Sequence, residues 1–164
     1  MLNVILRISS FLAKASTSAA RVLLAFVAFI LLLQVILRYV FNAALPWPEE
    51  AARYAMIWVV LLTGCALVRD RELITVDFFD RLWPRKVIVY RDNLYRLLLL
   101  VLLWVLLKEG VAQAIHGWQN RTTALEIRWF WPYLAIPVGT GLMLLEMIFL
   151  MILDIFHKKV DTEQ

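Results

Sequence analysis

The chain has 164 residues, 63% of them apolar and 18% charged, with a net charge of +4. Soluble domains average nearer half apolar and disordered chains are apolar-poor, so the composition rules out disorder and points to lipid. Basic residues flank long apolar runs instead of forming a polar face with stacking aromatics, which argues against a nucleic-acid partner, and one cysteine excludes a disulfide framework or a cysteine-built zinc site.

Residues 1–20 read as an amphipathic helix. Asn3, Arg7, Ser10, Lys14, Thr17 and Arg21 recur at alternating spacings of four and three, which places them on one helical stripe. Ile5, Ile8, Leu12, Ala15 and Ala19 fall largely opposite. A basic stripe against an apolar face suits a helix lying on the inner membrane surface, with Arg7, Lys14 and Arg21 toward the headgroups. The alternative is a disordered basic flank that only orients the first span.

A hydrocarbon core about 30 Å thick takes roughly 20 apolar residues of helix to cross. Residues 22–41 are the first span, interrupted only by Gln34 and Arg38. Residues 51–68 are the second, with Arg53 near the start. The third, 94–115, reaches spanning length only by including Arg96, Lys108 and Glu109. The fourth, 131–156, carries Glu146 and Asp154. In the middle loop, Thr75 is placed to cap a short interfacial helix through Leu82, ended by Pro84, with Asp77 and Arg81 four apart on its wet side. The fold class is therefore all-α: a single membrane domain over 1–164, with four transmembrane helices and two interfacial ones. Three spans remain an alternative if the third segment lies in the interface.

Charge sets the orientation, because loops rich in Lys and Arg stay in the cytoplasm. The N-terminal segment, the middle loop with its edges, and the tail hold twelve basic residues; the other two connections hold five, namely Arg38, Arg53, Lys108, Arg121 and Arg128. Both termini are expected in the cytoplasm of a multi-pass protein of a bacterial inner membrane.

Few residues suggest chemistry. His116 and His157 fall at opposite membrane faces and cannot share a metal or haem, and Cys65 has no neighbouring His base. No enzyme and no cofactor is expected. Most of the seven Trp, including Trp47, fall near predicted interfaces as anchors. At the start of the second span, Pro48 is well placed as the first helical residue. Glu49 and Glu50 follow where the macrodipole favours negative charge, and either reaches Arg53. This stretch reads either as a well-capped helix start or as a docking surface. Arg38 sits near the outer end of the first span, with Glu49, Glu50 and Glu109 as candidate partners. Glu146 belongs to the inner half of the fourth, where Arg21, Arg69, Arg96 or a cation of another subunit are its candidates.

The run QVILRYVFNAALPWPEEAARYAMIWVVLLTGCALVRDRELITVDFF at 34–79 resembles the small membrane subunit of tripartite ATP-independent periplasmic (TRAP) transporters. Arg38 with its following aromatic, Trp47, Glu49-Glu50, Arg53, Gly64, Arg69 and Val76-Asp77-Phe78 come in the family's order. ALEIRWFWPYLAIPVGTGLM at 124–143 is similar to its last loop and fourth helix. The chain departs from many relatives at Leu73, where they have His, and at Pro48, where they have Ser. The resemblance implies a small permease subunit that supports a large multi-span permease and helps dock a periplasmic solute-binding protein. The process would be sodium-driven import of an organic acid, with sodium held by the large subunit. Glu49, Glu50, Arg53, Arg121, Glu126 and Arg128 are then expected on the docking face, and Arg38, Trp47 and Glu146 at a subunit interface or in intramembrane pairs. Partners would be the two proteins and membrane lipid. The rival readings are a membrane anchor of a respiratory enzyme, which needs axial His residues in facing helices, and a small multidrug exporter, which needs an essential carboxylate in an early span.

Overall fold

A computed structural model of the chain describes residues 2–43, 45–72 and 85–161. It contains four helices: α1 (Leu2–Val40), α2 (Trp47–Arg69), α3 (Arg85–His116) and α4 (Phe130–Asp161). Each has a segment long and apolar enough to cross a membrane, the third included. The short helix expected from Thr75 to Leu82, with its Asp77–Arg81 pair, lies outside the described residues.

The sequence separates residues 1–20 from the first span; the structure joins them in one helix. No Pro or Gly occurs between Leu2 and Val40 to break it. Two hydroxyls that can compete with the helix bond back to it instead: Ser16 to the Ala13 carbonyl at 3.1 Å and Thr17 to the same oxygen at 2.7 Å. Its 39 residues run about 58 Å, well beyond a hydrocarbon core about 30 Å thick. Part of α1 therefore projects from the hydrocarbon or crosses it at a steep tilt.

The N-terminal half of α1 has three faces. Arg7, Lys14 and Arg21 are exposed on the expected basic stripe. The buried face is a set of small residues, Ser9, Ala13, Ser16 and Ala20, at spacings of four and three. The large apolar residues Ile8, Phe11 and Val22 remain exposed on the third face. Small side chains let helix backbones approach closely, which is what drives packing where water supplies no hydrophobic force.

The helices form an open row in the order α1, α2, α4, α3. α1 packs along α2, α2 on α4 and α4 on α3, with a lighter contact between α1 and α4; among the described residues α3 packs on neither α1 nor α2. Val27 and Ile30 meet Ala52 and Ala55 at the first junction. Val68, Leu103, Met143 and Met147 form a second cluster around α4. The inner junctions depend on glycine. A Cβ at Gly139 would lie 2.5 Å from that of Leu61, and one at Gly110 would lie 2.7 Å from the Ile136 side chain. An open row leaves α1 and α3 with one covered side each. Phe26 and Phe29 on α1, and Leu97, Leu98, Val101 and Trp104 on α3, are exposed. Such continuous apolar flanks fit lipid or a membrane partner and not water.

Candidate functional site

The connection between α3 and α4 is a tight hairpin-like loop. The Thr122 N–H donates to the Ile127 carbonyl at 2.8 Å, and the Trp129 N–H to that of Asn120 at 3.1 Å. Arg121 and Arg128 stand opposite each other, and Glu126 turns the chain with a φ of 53°. Glu50 ties this loop to the first turn of α2. Its Oε2 accepts from the backbone N–H groups of Ala124 at 2.7 Å and Leu125 at 2.8 Å. Its Oε1 accepts from the Tyr54 hydroxyl at 2.6 Å. The Tyr54 ring meets Trp129 edge-on at 5.4 Å, and Trp129 stacks on Tyr133 at 5.3 Å. The half-buried Trp129 thus bridges Tyr54 of α2 and Tyr133 at the start of α4.

This arrangement divides the six residues expected to dock a partner. Glu50 is occupied within the chain, and pairs with Tyr54 and the loop rather than with Arg53. Glu49 is the residue that meets Arg53, at 3.3 Å, with both side chains about two-thirds exposed. Arg121 and Glu126 are exposed. Arg128 is half-buried, its guanidinium 4.1 Å from the Trp118 ring centre. The Glu50 link brings α2 and the loop together, so Glu49, Arg53, Arg121 and Glu126 share one end of the molecule. The Glu50–Tyr54 contact had a signal in the sequence, an acid and an aromatic hydroxyl four apart on a helix. The backbone donors of the loop had none.

Trp47 is partly exposed beside this end. Arg38 is exposed and meets none of Glu49, Glu50 and Glu109; its guanidinium lies 5.9 Å from the ring centre of its own neighbour, Tyr39. Among the described residues it has no ion pair.

Glu146 is fully buried. Its Oε2 accepts from the Ser9 hydroxyl at 2.7 Å, while Oε1 has no partner. None of Arg21, Arg69 and Arg96 pairs with it. Arg96 instead bonds Asp154 at 2.8 Å, and Arg71 bonds the other oxygen of the same carboxylate. Asp154, read in the sequence only as a polar interruption, joins the end of α2 to α3 and α4. The partners lie 83 and 58 residues away in the chain, and no local spacing announces them.

These features define a class: an all-helical multi-pass membrane protein with a tied loop at one end and a three-way ionic clasp at the other. The family described as "Tripartite ATP-independent periplasmic transporters, DctQ component" matches residues 27–157, and the chain belongs to it. It is 33% identical over 127 residues to the isethionate TRAP transporter permease protein DctMQ of Oleidesulfovibrio alaskensis, covering 70% of this chain. It is 30% identical over 82 residues, half of this chain, to the sialic acid TRAP transporter permease protein SiaT of Haemophilus influenzae. The matched stretches span 19% and 13% of those longer proteins. The chain is thus a small TRAP transporter subunit, from a family of transporters and not of enzymes.

Proposed function

We propose that this subunit widens the membrane scaffold of a large permease and supplies part of the surface on which a periplasmic solute-binding protein docks. The transport step is sodium-driven import of an organic acid, and sodium and solute bind the large subunit. The protein resides in a bacterial inner membrane with both termini in the cytoplasm, which puts the Glu50-tied end on the periplasmic side. The observation that carries this reading is the open row of helices, whose apolar flanks on α1 and α3 have no cover within the described chain. Relatives matched over less than a fifth of their length support a much larger permease beside it. Their names specify isethionate and sialic acid, both organic anions at neutral pH, which supports the substrate class.

The test is reconstitution. Proteoliposomes holding the large permease with this chain, supplied with the binding protein and a sodium gradient, are expected to accumulate labelled organic acid. Omitting this chain is expected to abolish most of that uptake. Full uptake by the large permease alone would contradict the proposal.

A further inference from the structure

Between the N-terminal half of α1 and the C-terminal end of α2 lies a groove of about 400 Å³. Lys14, Arg21 and Arg69 line it with Asp70, Thr17 and Ser18 and the small residues Ala13 and Ala66. Three positive groups against one negative leave a net charge of +2 in the groove. None of the three cations has an ion pair among the described residues. Other arginines of the chain differ: Arg71 and Arg96 are bound to Asp154, and Arg91 to Asp92. Unpaired cations converging on one concave site select an anion.

The surface beside the groove identifies the kind of anion. On α1 the stripe that carries Arg7, Lys14 and Arg21 continues at the same spacing as Leu24, Ala28 and Val35, all exposed. One face of one unbroken helix therefore changes from basic to apolar between Arg21 and Leu24. From Leu24 to Val35 the apolar part runs about 16 Å, close to half of a hydrocarbon core about 30 Å thick. That is the depth of one leaflet. A charged cradle at the head of a leaflet-deep apolar track matches a molecule with a phosphate at one end and acyl chains at the other.

We propose that the α1–α2 groove binds the phosphate headgroup of an anionic phospholipid, held by Lys14, Arg21 and Arg69, with its acyl chains along Leu24, Ala28 and Val35. The lipid belongs to the leaflet on the N-terminal side. It fills the groove between the two helices.

The test uses the full chain in neutral detergent, titrated with phosphatidylglycerol and with phosphatidylcholine and read by native mass spectrometry. Phosphatidylglycerol is expected to bind at about tenfold lower concentration, from one net lipid charge against the groove. The combined variant Lys14→Gln, Arg21→Gln, Arg69→Gln is expected to lose that preference. Arg38→Gln, Lys108→Gln, Arg121→Gln removes the same charge elsewhere and is expected to keep it. Asp70→Asn is expected to tighten phosphatidylglycerol binding, which loss of folding cannot imitate. Equal binding of the two lipids, or equal loss in both triple variants, would overturn the proposal. So would displacement of phosphatidylglycerol by millimolar inorganic phosphate, which would make the groove a site for soluble anions.

Discussion

The Ser9 hydroxyl donates to the Glu146 carboxylate at 2.7 Å across 137 residues, and so joins the first helix to the last. Glu146 is fully enclosed, and this is its one hydrogen bond among the described residues. The contact is a neutral donor on a buried acceptor, and among the described residues no cation forms an ion pair with it. Gln at this position keeps the volume and an acceptor for Ser9. Glu146→Gln is therefore expected to change stability by no more than about 1 kcal/mol. Glu146→Lys buries a charge with no counter-ion and is expected to cost about 3 kcal/mol or more. Thermal melting in detergent checks both. If Gln cost as much as Lys, Glu146 would have to be paired with a cation outside the described residues.

Glu50 and Glu49 are adjacent in sequence but differ in role. Glu50→Ala removes the acceptor of two backbone amides and a tyrosine hydroxyl, and is expected to cost about 2–3 kcal/mol. Glu49→Ala breaks one exposed pair and is expected to cost less than about 0.5 kcal/mol. Amide hydrogen exchange offers the sharper measurement. Ala124 and Leu125 should exchange much faster in the Glu50 variant and at the normal rate in the Glu49 variant. Equal protection in both would show that the loop holds itself without Glu50.

Three glycines on two contacting helices give an ordered series. A Cβ at Gly139 would meet the Cβ and backbone of Leu61, which cannot yield without moving α2. One at Gly64 would meet the terminal methyl of Met143, which can swing aside, although the ideal separation is only 1.9 Å. One at Gly141 would stop at an ordinary 3.7 Å from Leu107. Alanine at 139 is expected to destabilise by about 1–3 kcal/mol, at 64 by less, and at 141 hardly at all. Melting temperatures in the reverse order would contradict the α2–α4 packing.

Asp154 holds two arginines, so the pairs are expected to be non-additive. Asp154→Asn should lower stability by about 1–2 kcal/mol at low salt and by less at high salt, since the carboxylate is one-third exposed. Once Asp154 is Asn, changing Arg96 to Gln should have little further effect. A full additional loss in the double variant would show that Arg96 acts elsewhere.

The four spans were legible because hydropathy over about 20 residues is a strong, local signal. The start of α2 was legible to within one residue, because Pro48 and the two glutamates follow local helix rules, although the helix begins at Trp47 and not at Pro48. The packing face of α1 was not. An amphipathic pattern weighs large apolar residues against charged ones, and Ser9, Ala13, Ser16 and Ala20 contribute little to either side. Yet these small residues face the bundle, while Phe11 and Val22 face away. The partners of Glu50 and Asp154 were hidden for another reason. Backbone donors have no residue code, and pairs 58 to 83 residues apart depend on helix order, which no spacing in the chain specifies.

The most direct test of the docking role is uptake by the reconstituted complex as a function of binding-protein concentration, with Glu49→Lys, Arg53→Glu, Arg121→Glu and Glu126→Lys combined. These four charges are exposed on one end and none joins the α2–loop link through Glu50. The complex is expected to stay intact, to need about tenfold more binding protein for half-maximal uptake and to reach the normal maximum at saturation. An unchanged concentration dependence would contradict a docking role for this end of the molecule.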